Sequence, residues 1–160
     1  MIIEFFVVGR PAPGGSKSAF PIHTGEYKTN KKGKVQEIVR VIVSDAGGQR
    51  TKDWRTSVRE ACRSVFMSDP LTCPVKISVT FFMPYRKMDF ETGKKKGILK
   101  KNAPKYVTTK PDFLKLLRST EDALTGLLWH DDCQVVGFLP PMEKVYGLCA
   151  GAQIRIETLG

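Results

Sequence analysis

Residues 108 to 136 read TTKPDFLKLLRSTEDALTGLLWHDDCQVV, and this stretch carries most of what the chain says about its fold. Pro111-Asp112 opens a segment in which Leu114, Leu117, Leu124 and Leu128 recur on one stripe, with Phe113, Leu116, Ala123 and Leu127 beside it. That spacing predicts a helix from Asp112 to about Thr125 whose wide apolar face is core. Gly126 follows, where a helix end favours glycine. Cys133 to Leu139 then predicts a strand.

Working outward, Val75 to Met83 puts Val75, Ile77, Val79, Phe81 and Met83 on one face, the alternation of a half-buried strand. Thr51 to Met67 repeats Trp54, Val58, Cys62, Val65 and Phe66 at three- and four-residue steps, which predicts a helix capped by Thr51 and stopped by Asp69-Pro70. Ile2 to Val8 reads as a strand ended by the Pro- and Gly-rich run Gly9 to Gly15. Ser16 to Phe20 reads as a flexible basic arm, Lys28 to Lys34 as a polar basic loop, and Val35 to Val43 as a second strand. Gly151 to Thr158 alternates as the last strand. The order β, β, α, β, α, β, β predicts an α+β fold: a mixed sheet with two helices packed on one face. A chain of 160 residues suits one domain, residues 1–160, with basic loops at about 14–34 and 85–110.

The charge is lopsided, 26 Lys and Arg against 16 Asp and Glu, a formal +10. Like charges do not stabilise a fold, so the excess points to an anionic partner, of which nucleic acid is the commonest, or to a merely basic surface. Nine bases fall between Arg86 and Lys110, interspersed with Phe90 and Tyr106. Such a stretch suits a groove that follows a phosphate backbone, and equally a solvated loop. Cys62, Cys73, Cys133 and Cys149 form no C-x-x-C pair, which argues against a zinc cluster and for reduced thiols in a cytoplasmic protein. The N-terminus lacks the form of a signal peptide, and no apolar run reaches the roughly 18–20 residues of a membrane span.

Against this basic background the acids of residues 112–132 stand out. Asp112 either complements a helix dipole or serves a site. Glu121, on the predicted apolar stripe, either pairs with Arg118 one turn away or belongs to a metal site, because a lone carboxylate on a buried stripe is costly. Asp131-Asp132 is a solvated turn or a ligand pair. A polyanion-binding face should exclude carboxylates unless a divalent cation bridges them to phosphate. His23 and His130, the only histidines, sit in no catalytic pattern.

Pro111-Asp112, Lys115-Leu116-Leu117-Arg118, Asp122-Ala123-Leu124-Thr125-Gly126 and Asp131-Asp132-Cys133-Gln134-Val135 together resemble the signature of the RusA-type Holliday junction resolvases. Gly9-Arg10-Pro11 followed by Gly15-Ser16-Lys17 is similar to the arm of phage-type members. The resemblance implies a RusA-like fold in a small homodimeric endonuclease, often phage- or prophage-encoded. It also implies Mg²⁺, with Mn²⁺ substituting, and symmetric cuts in four-way DNA junctions. It carries the metal ligands to Asp112 and Asp132 and the basic helix residue to Arg118. No organic cofactor and no membrane are implied.

One family carboxylate is missing: Leu114 stands two residues after Asp112, and an apolar side chain cannot bind Mg²⁺. Glu121 is the best substitute, on almost the same face as position 114 but about 10 Å further along the helix, with Asp122 and Asp131 behind it. Asp112 and Asp132 are predicted to lie near opposite ends of a helix about 20 Å long. Either Leu127 to Asp131 runs back along it, or a twofold dimer builds each site from both chains. Lys17, Lys94, Lys95, Lys96, Lys100, Lys101 and Lys110 are expected to bind DNA. The rival reading is a non-catalytic binder of branched or single-stranded DNA that lost its metal site at Leu114.

Overall fold

The computed structural model describes residues 1–14, 17–45 and 48–160, and only the backbone of Lys17, Ser18, Ser44 and Asp45. In chain order the elements are β1 (Ile2–Val8), β2 (Lys17–Thr29), β3 (Val35–Asp45), α1 (Gly48–Arg63), β4 (Val75–Pro84), α2 (Phe113–Leu124), β5 (Val135–Gly147) and β6 (Gly151–Thr158). Short 3₁₀ turns lie at Lys87–Asp89, Gly93–Lys95 and Asp132–Gln134. The main sheet has the order β1-β6-β4-β5, with β4 and β5 parallel and the other pairs antiparallel. The α+β class with a mixed sheet holds, and a sixth strand joins the predicted five.

The core follows from strand alternation. Ile3, Phe5 and Val7 of β1, Val75, Ile77, Val79 and Phe81 of β4, and Ala152, Ile154 and Ile156 of β6 turn inward to one face. Both helices cover that face, because Phe81 packs its ring against Trp54 of α1 and, edge-on at 5.6 Å, against Phe113 of α2. The far face carries Glu4, Phe6, Lys76, Thr80, Phe82 and Arg155 and is largely open.

Three expectations need correcting. The basic arm is strand rather than flexible chain: β2 takes in residues 17–20 and runs on to Thr29, paired with β3 in an antiparallel ribbon, while residues 30–34 of the predicted loop form the turn between them. α1 begins before Thr51 and ends at Arg63, so Thr51 is not its cap; its hydroxyl, buried, donates to the Pro13 carbonyl at 2.8 Å. Val65, beyond the helix end, is exposed.

The third correction concerns α2. Its buried face is Leu116, Leu117, Ser119, Thr120, Ala123 and Leu124, and Leu114 is 72% exposed. Polar Thr120 belongs to the core because Trp54 Nε1 donates to its hydroxyl at 3.2 Å, and that hydroxyl donates to the Leu116 carbonyl at 3.0 Å. Both buried polar groups are thereby satisfied. Leu114, Arg118 and Glu121 instead share the outward stripe, three and four residues apart. Gly14 lies against this helix: its N–H donates to the Lys115 carbonyl at 2.9 Å, and a Cβ there would come within 3.1 Å of the Ser119 backbone.

Residues 85–110 are more organised than a solvated loop. Arg86 donates from Nε and Nη2 to the Asp89 carboxylate at 3.1 and 2.9 Å, and Asp89 itself is only 4% exposed. The guanidinium holds that carboxyl below the usual range. Tyr85 stacks on Tyr146 with centroids 5.2 Å apart.

Candidate metal and DNA site at the two ends of helix α2

The predicted site residues fall into two groups, one at each end of α2. Asp112 occupies the N-cap position in extended backbone conformation. The chain reaches it through Thr109-Lys110-Pro111, pinned by Lys144 of β5, whose Nζ donates to the carbonyls of Thr109 and Pro111 at 2.7 Å each. The Asp112 carboxylate is exposed, with Lys115 Nζ at 3.7 Å. Leu114 stands exposed two residues on and offers no oxygen ligand.

This end also opens into a cavity of about 730 Å³ between the Gly9–Pro13 segment, α1 and the start of α2. Lys110, Asp112 and Lys115 line it together with Arg10 and Arg50.

At the other end, Glu121, Asp122, Asp131 and Asp132 gather. Gly126, with φ of 74°, lets the chain leave α2 in a conformation that a β-carbon disfavours. Its N–H donates to the Trp129 carbonyl at 2.7 Å, and Trp129 Nε1 donates to the Thr125 hydroxyl at 3.1 Å, closing a tight turn. The acidic turn that follows is built around Gln134. Its Oε1 accepts from the N–H groups of His130 and Asp131 at 2.9 and 3.1 Å, and its Nε2 donates to the carbonyls of Leu71 and Cys73 at 2.8 and 3.1 Å. One amide side chain thus ties the turn bearing Asp132 to the strand entry below it. Asp131 caps the Asp132–Gln134 turn by accepting from the Cys133 N–H at 2.9 Å, and Cys133 lowers its carboxyl below the usual range. Asp122 is held by Arg55 Nη2 at 2.6 Å, joining α1 to α2. Asp132 and Glu121 are left for other work.

Glu121 is half-buried, and its carboxyl is pushed above the usual range by that burial and by the negative charges of Asp132 and Asp122, with Arg118 opposing from a distance. No ion pair within 4 Å joins Arg118 to Glu121 among the described residues. The C-terminal end of α2 also carries positive charge, with Arg55 on Asp122 and Arg59 Nη1 donating to the Ala123 carbonyl at 3.0 Å. Its donors are hard oxygens, the set that Mg²⁺ prefers.

Two rulers show that the two ends stay apart. Helix α2 has 12 residues, about 18 Å at 1.5 Å per residue. Along β4, Phe113 packs at Phe81, whereas Val135, just past Asp132, pairs with Val75. Six residues of strand make about 20 Å. Leu127 to Asp131 does not run back along the helix. Among the described residues, no group of three or more His, Cys, Asp and Glu side chains is placed to hold a metal ion.

Of the predicted DNA-binding lysines, Lys94, Lys95, Lys96, Lys101 and Lys110 are exposed. Lys100 is half-buried and donates from Nζ to the Met88 carbonyl at 2.9 Å. The Lys17 side chain lies outside the described residues. Sequence reasoning missed the positioning roles of Gln134 and Lys144 and the cavity beside Asp112. Gln134 did carry a signal, since it closes the Asp131-Asp132-Cys133-Gln134 motif.

No helix of the described residues is long and apolar enough to cross a membrane. A comparison with curated proteins finds no match. The family model described as Endodeoxyribonuclease RusA matches residues 22–157. That span includes both acidic ends of α2, the Gln134-anchored turn and all of β4 and β5, and the chain belongs to the RusA endodeoxyribonuclease family.

Proposed function

We propose that the protein is a metal-dependent endonuclease that cuts four-way or otherwise branched DNA. We further propose that it acts as a twofold dimer, each site combining Asp112 of one subunit with Glu121 and Asp132 of the other. The observation that carries this reading is the separation of two acid groups by the length of α2 in a chain of RusA family membership. A twofold arrangement brings the opposite ends of two such helices together and presents two equivalent sites to two strands.

The residues fit a divalent cation: Asp112, Asp132 and Glu121 would hold it, and the neighbouring acids Asp132 and Asp122 already repel the charge of Glu121. A bound Mg²⁺ would polarise the phosphate and lower the pKa of a water molecule. The chain's own contributions are binding and orientation. Lys144 fixes the backbone carbonyls leading into Asp112, and Gln134 fixes the turn bearing Asp132. Arg118, exposed on the outward stripe between the two ends, stabilises charge that develops on the phosphate. The lysines from Lys94 to Lys101 follow the DNA arms, and binding should weaken steeply with salt.

The β2–β3 ribbon supports a dimer. Among the described residues its main packing is within itself, and it exposes Phe20, Ile22 and Ile42 on one face and Val39, Val41 and Val43 on the other. A lone two-stranded ribbon is marginal in water, so a second subunit is the natural cover.

The second reading, a binder that does not cut, is favoured by Leu114, an exposed apolar residue where the family has a carboxylate. A synthetic four-way junction incubated with Mg²⁺, Mn²⁺ or EDTA separates the two. Nicking in metal but not in EDTA is expected. A gel shift without nicking in any metal supports the binder instead.

A further inference from the structure

The cavity beside Asp112 has a chemistry that phosphate binding along the DNA arms does not require. Arg10, Arg50, Lys110 and Lys115 stand at its rim, and Trp54, Met83 and Ala12 lie beneath. Those three are at most 5% exposed and offer the cavity almost no surface; its accessible apolar floor is half-buried Pro13 and Pro111, under a cationic rim. Lys115 faces Asp112 at 3.7 Å, but none of Arg10, Arg50 and Lys110 is held in an ion pair among the described residues. Two acids, Asp53 and Asp112, also line the cavity, leaving the four bases in excess by two. Asp53 accepts from Gln49 Nε2 at 2.7 Å, which turns part of its capacity to α1 itself.

A flat groove for duplex backbone needs the charges and no depth. A cavity of about 730 Å³ falls in the range of roughly 300–1,000 Å³ typical of small-molecule sites. It is far too small for a duplex and large enough for one nucleotide. An apolar floor under a cationic rim matches a base and sugar flanked by phosphates. At a branch point, pairing and stacking are already weakened, so turning one nucleotide out of the stack costs least there.

We infer that this cavity receives a single nucleotide displaced from the stack at the branch point, its base against Pro13 and Pro111 and its phosphates on Arg10, Arg50, Lys110 and Lys115. The source of that nucleotide rests on the endonuclease reading above; the pocket itself does not. The nucleotide's flanking phosphate then lies beside Asp112, which gives branched DNA an advantage over plain duplex.

The test uses the full chain in EDTA, so that no metal site contributes. Thymidine 3′,5′-bisphosphate, thymidine and inorganic phosphate are titrated by calorimetry, and a four-way junction is run in parallel by gel shift. The bisphosphate should bind at least tenfold more tightly than either fragment. Arg50→Glu at the exposed rim and Ser57→Leu in the wall should each weaken it at least tenfold, with thermal unfolding showing that both variants fold. A bisphosphate that binds no better than phosphate, or binds both variants as well as the unchanged protein, overturns the pocket. Tight bisphosphate binding without any preference for junction over duplex would keep the pocket and remove its proposed source.

Discussion

Gln134→Ala should loosen the acidic turn more than any substitution of the acids themselves. The side chain makes four hydrogen bonds, two accepted from His130 and Asp131 and two donated to Leu71 and Cys73. At about 1 kcal/mol net each, their sum is roughly 4 kcal/mol. His130 and Asp131 are exposed, so water can replace the partner of their N–H groups, which leaves about 2–3 kcal/mol. For a domain of this size that is a fall in Tm of roughly 5–10 °C. Gln134→Glu separates the halves of the effect. It keeps both acceptor contacts but turns a carboxylate oxygen toward two carbonyls, so it should lose a comparable amount at neutral pH. Differential scanning calorimetry measures both, and junction cleavage in Mg²⁺ should fall with them as Asp132 loses its anchorage. If both variants melt within about 1 °C of the unchanged protein and cut equally well, Gln134 does not organise the turn and the reasoning fails.

Glu121→Gln should raise Tm in EDTA at pH 8. A carboxyl whose folded-state pKa is raised favours the protonated fold, so its charge costs stability once pH exceeds that value, and the advantage of Gln should shrink as pH falls through the ordinary carboxylate range. The same variant should lose most of the Tm rise that Mn²⁺ gives the unchanged protein. Leu114→Asp, on an exposed position, should leave Tm within about 1 °C, as surface changes usually do, and raise metal-dependent cleavage about tenfold; unchanged or lower cleavage would count against Asp112 as a metal ligand. A thiol reagent at pH 8 should modify exposed Cys149 and Cys133 but spare Cys62, which is buried and pushed up to about 11, and peptide mapping reads the difference.

The strands of the main sheet were legible because alternation reports a face directly: Val75 to Met83 and Gly151 to Thr158 read as they fold. In the ribbon, Val35 to Val43 read as the strand β3, but β2 did not, because it contains Pro21, Gly25 and several polar residues and buries neither face, so no period distinguishes it from a loop. On α2 the leucines misled. Leu114 lies in the first turn and points outward, whereas Thr120, polar by composition, is drawn into the core by Trp54 from α1. Only the tertiary partner decides such a position. Motif spacing singles out Asp112, Asp132 and Arg118 as candidates, but the separation of the two acids depends on a turn at Gly126 and Trp129 that holds Asp132 at the helix end. The cavity could not be seen in advance, because it is walled by segments distant in sequence.

The most direct test of the account is subunit complementation. Asp112→Asn and Asp132→Asn chains, carrying different tags, are purified as homodimers and as the mixed dimer, and each is incubated with a four-way junction in Mg²⁺. Both homodimers should be inactive. In the mixed dimer a site shared across the twofold axis pairs the intact Asp112 of one chain with the intact Asp132 of the other, so one site in two is whole and single-strand nicking should return. If the mixed dimer is as inactive as its parents while the unchanged protein cuts, each site is built within one chain and the shared-site account is wrong.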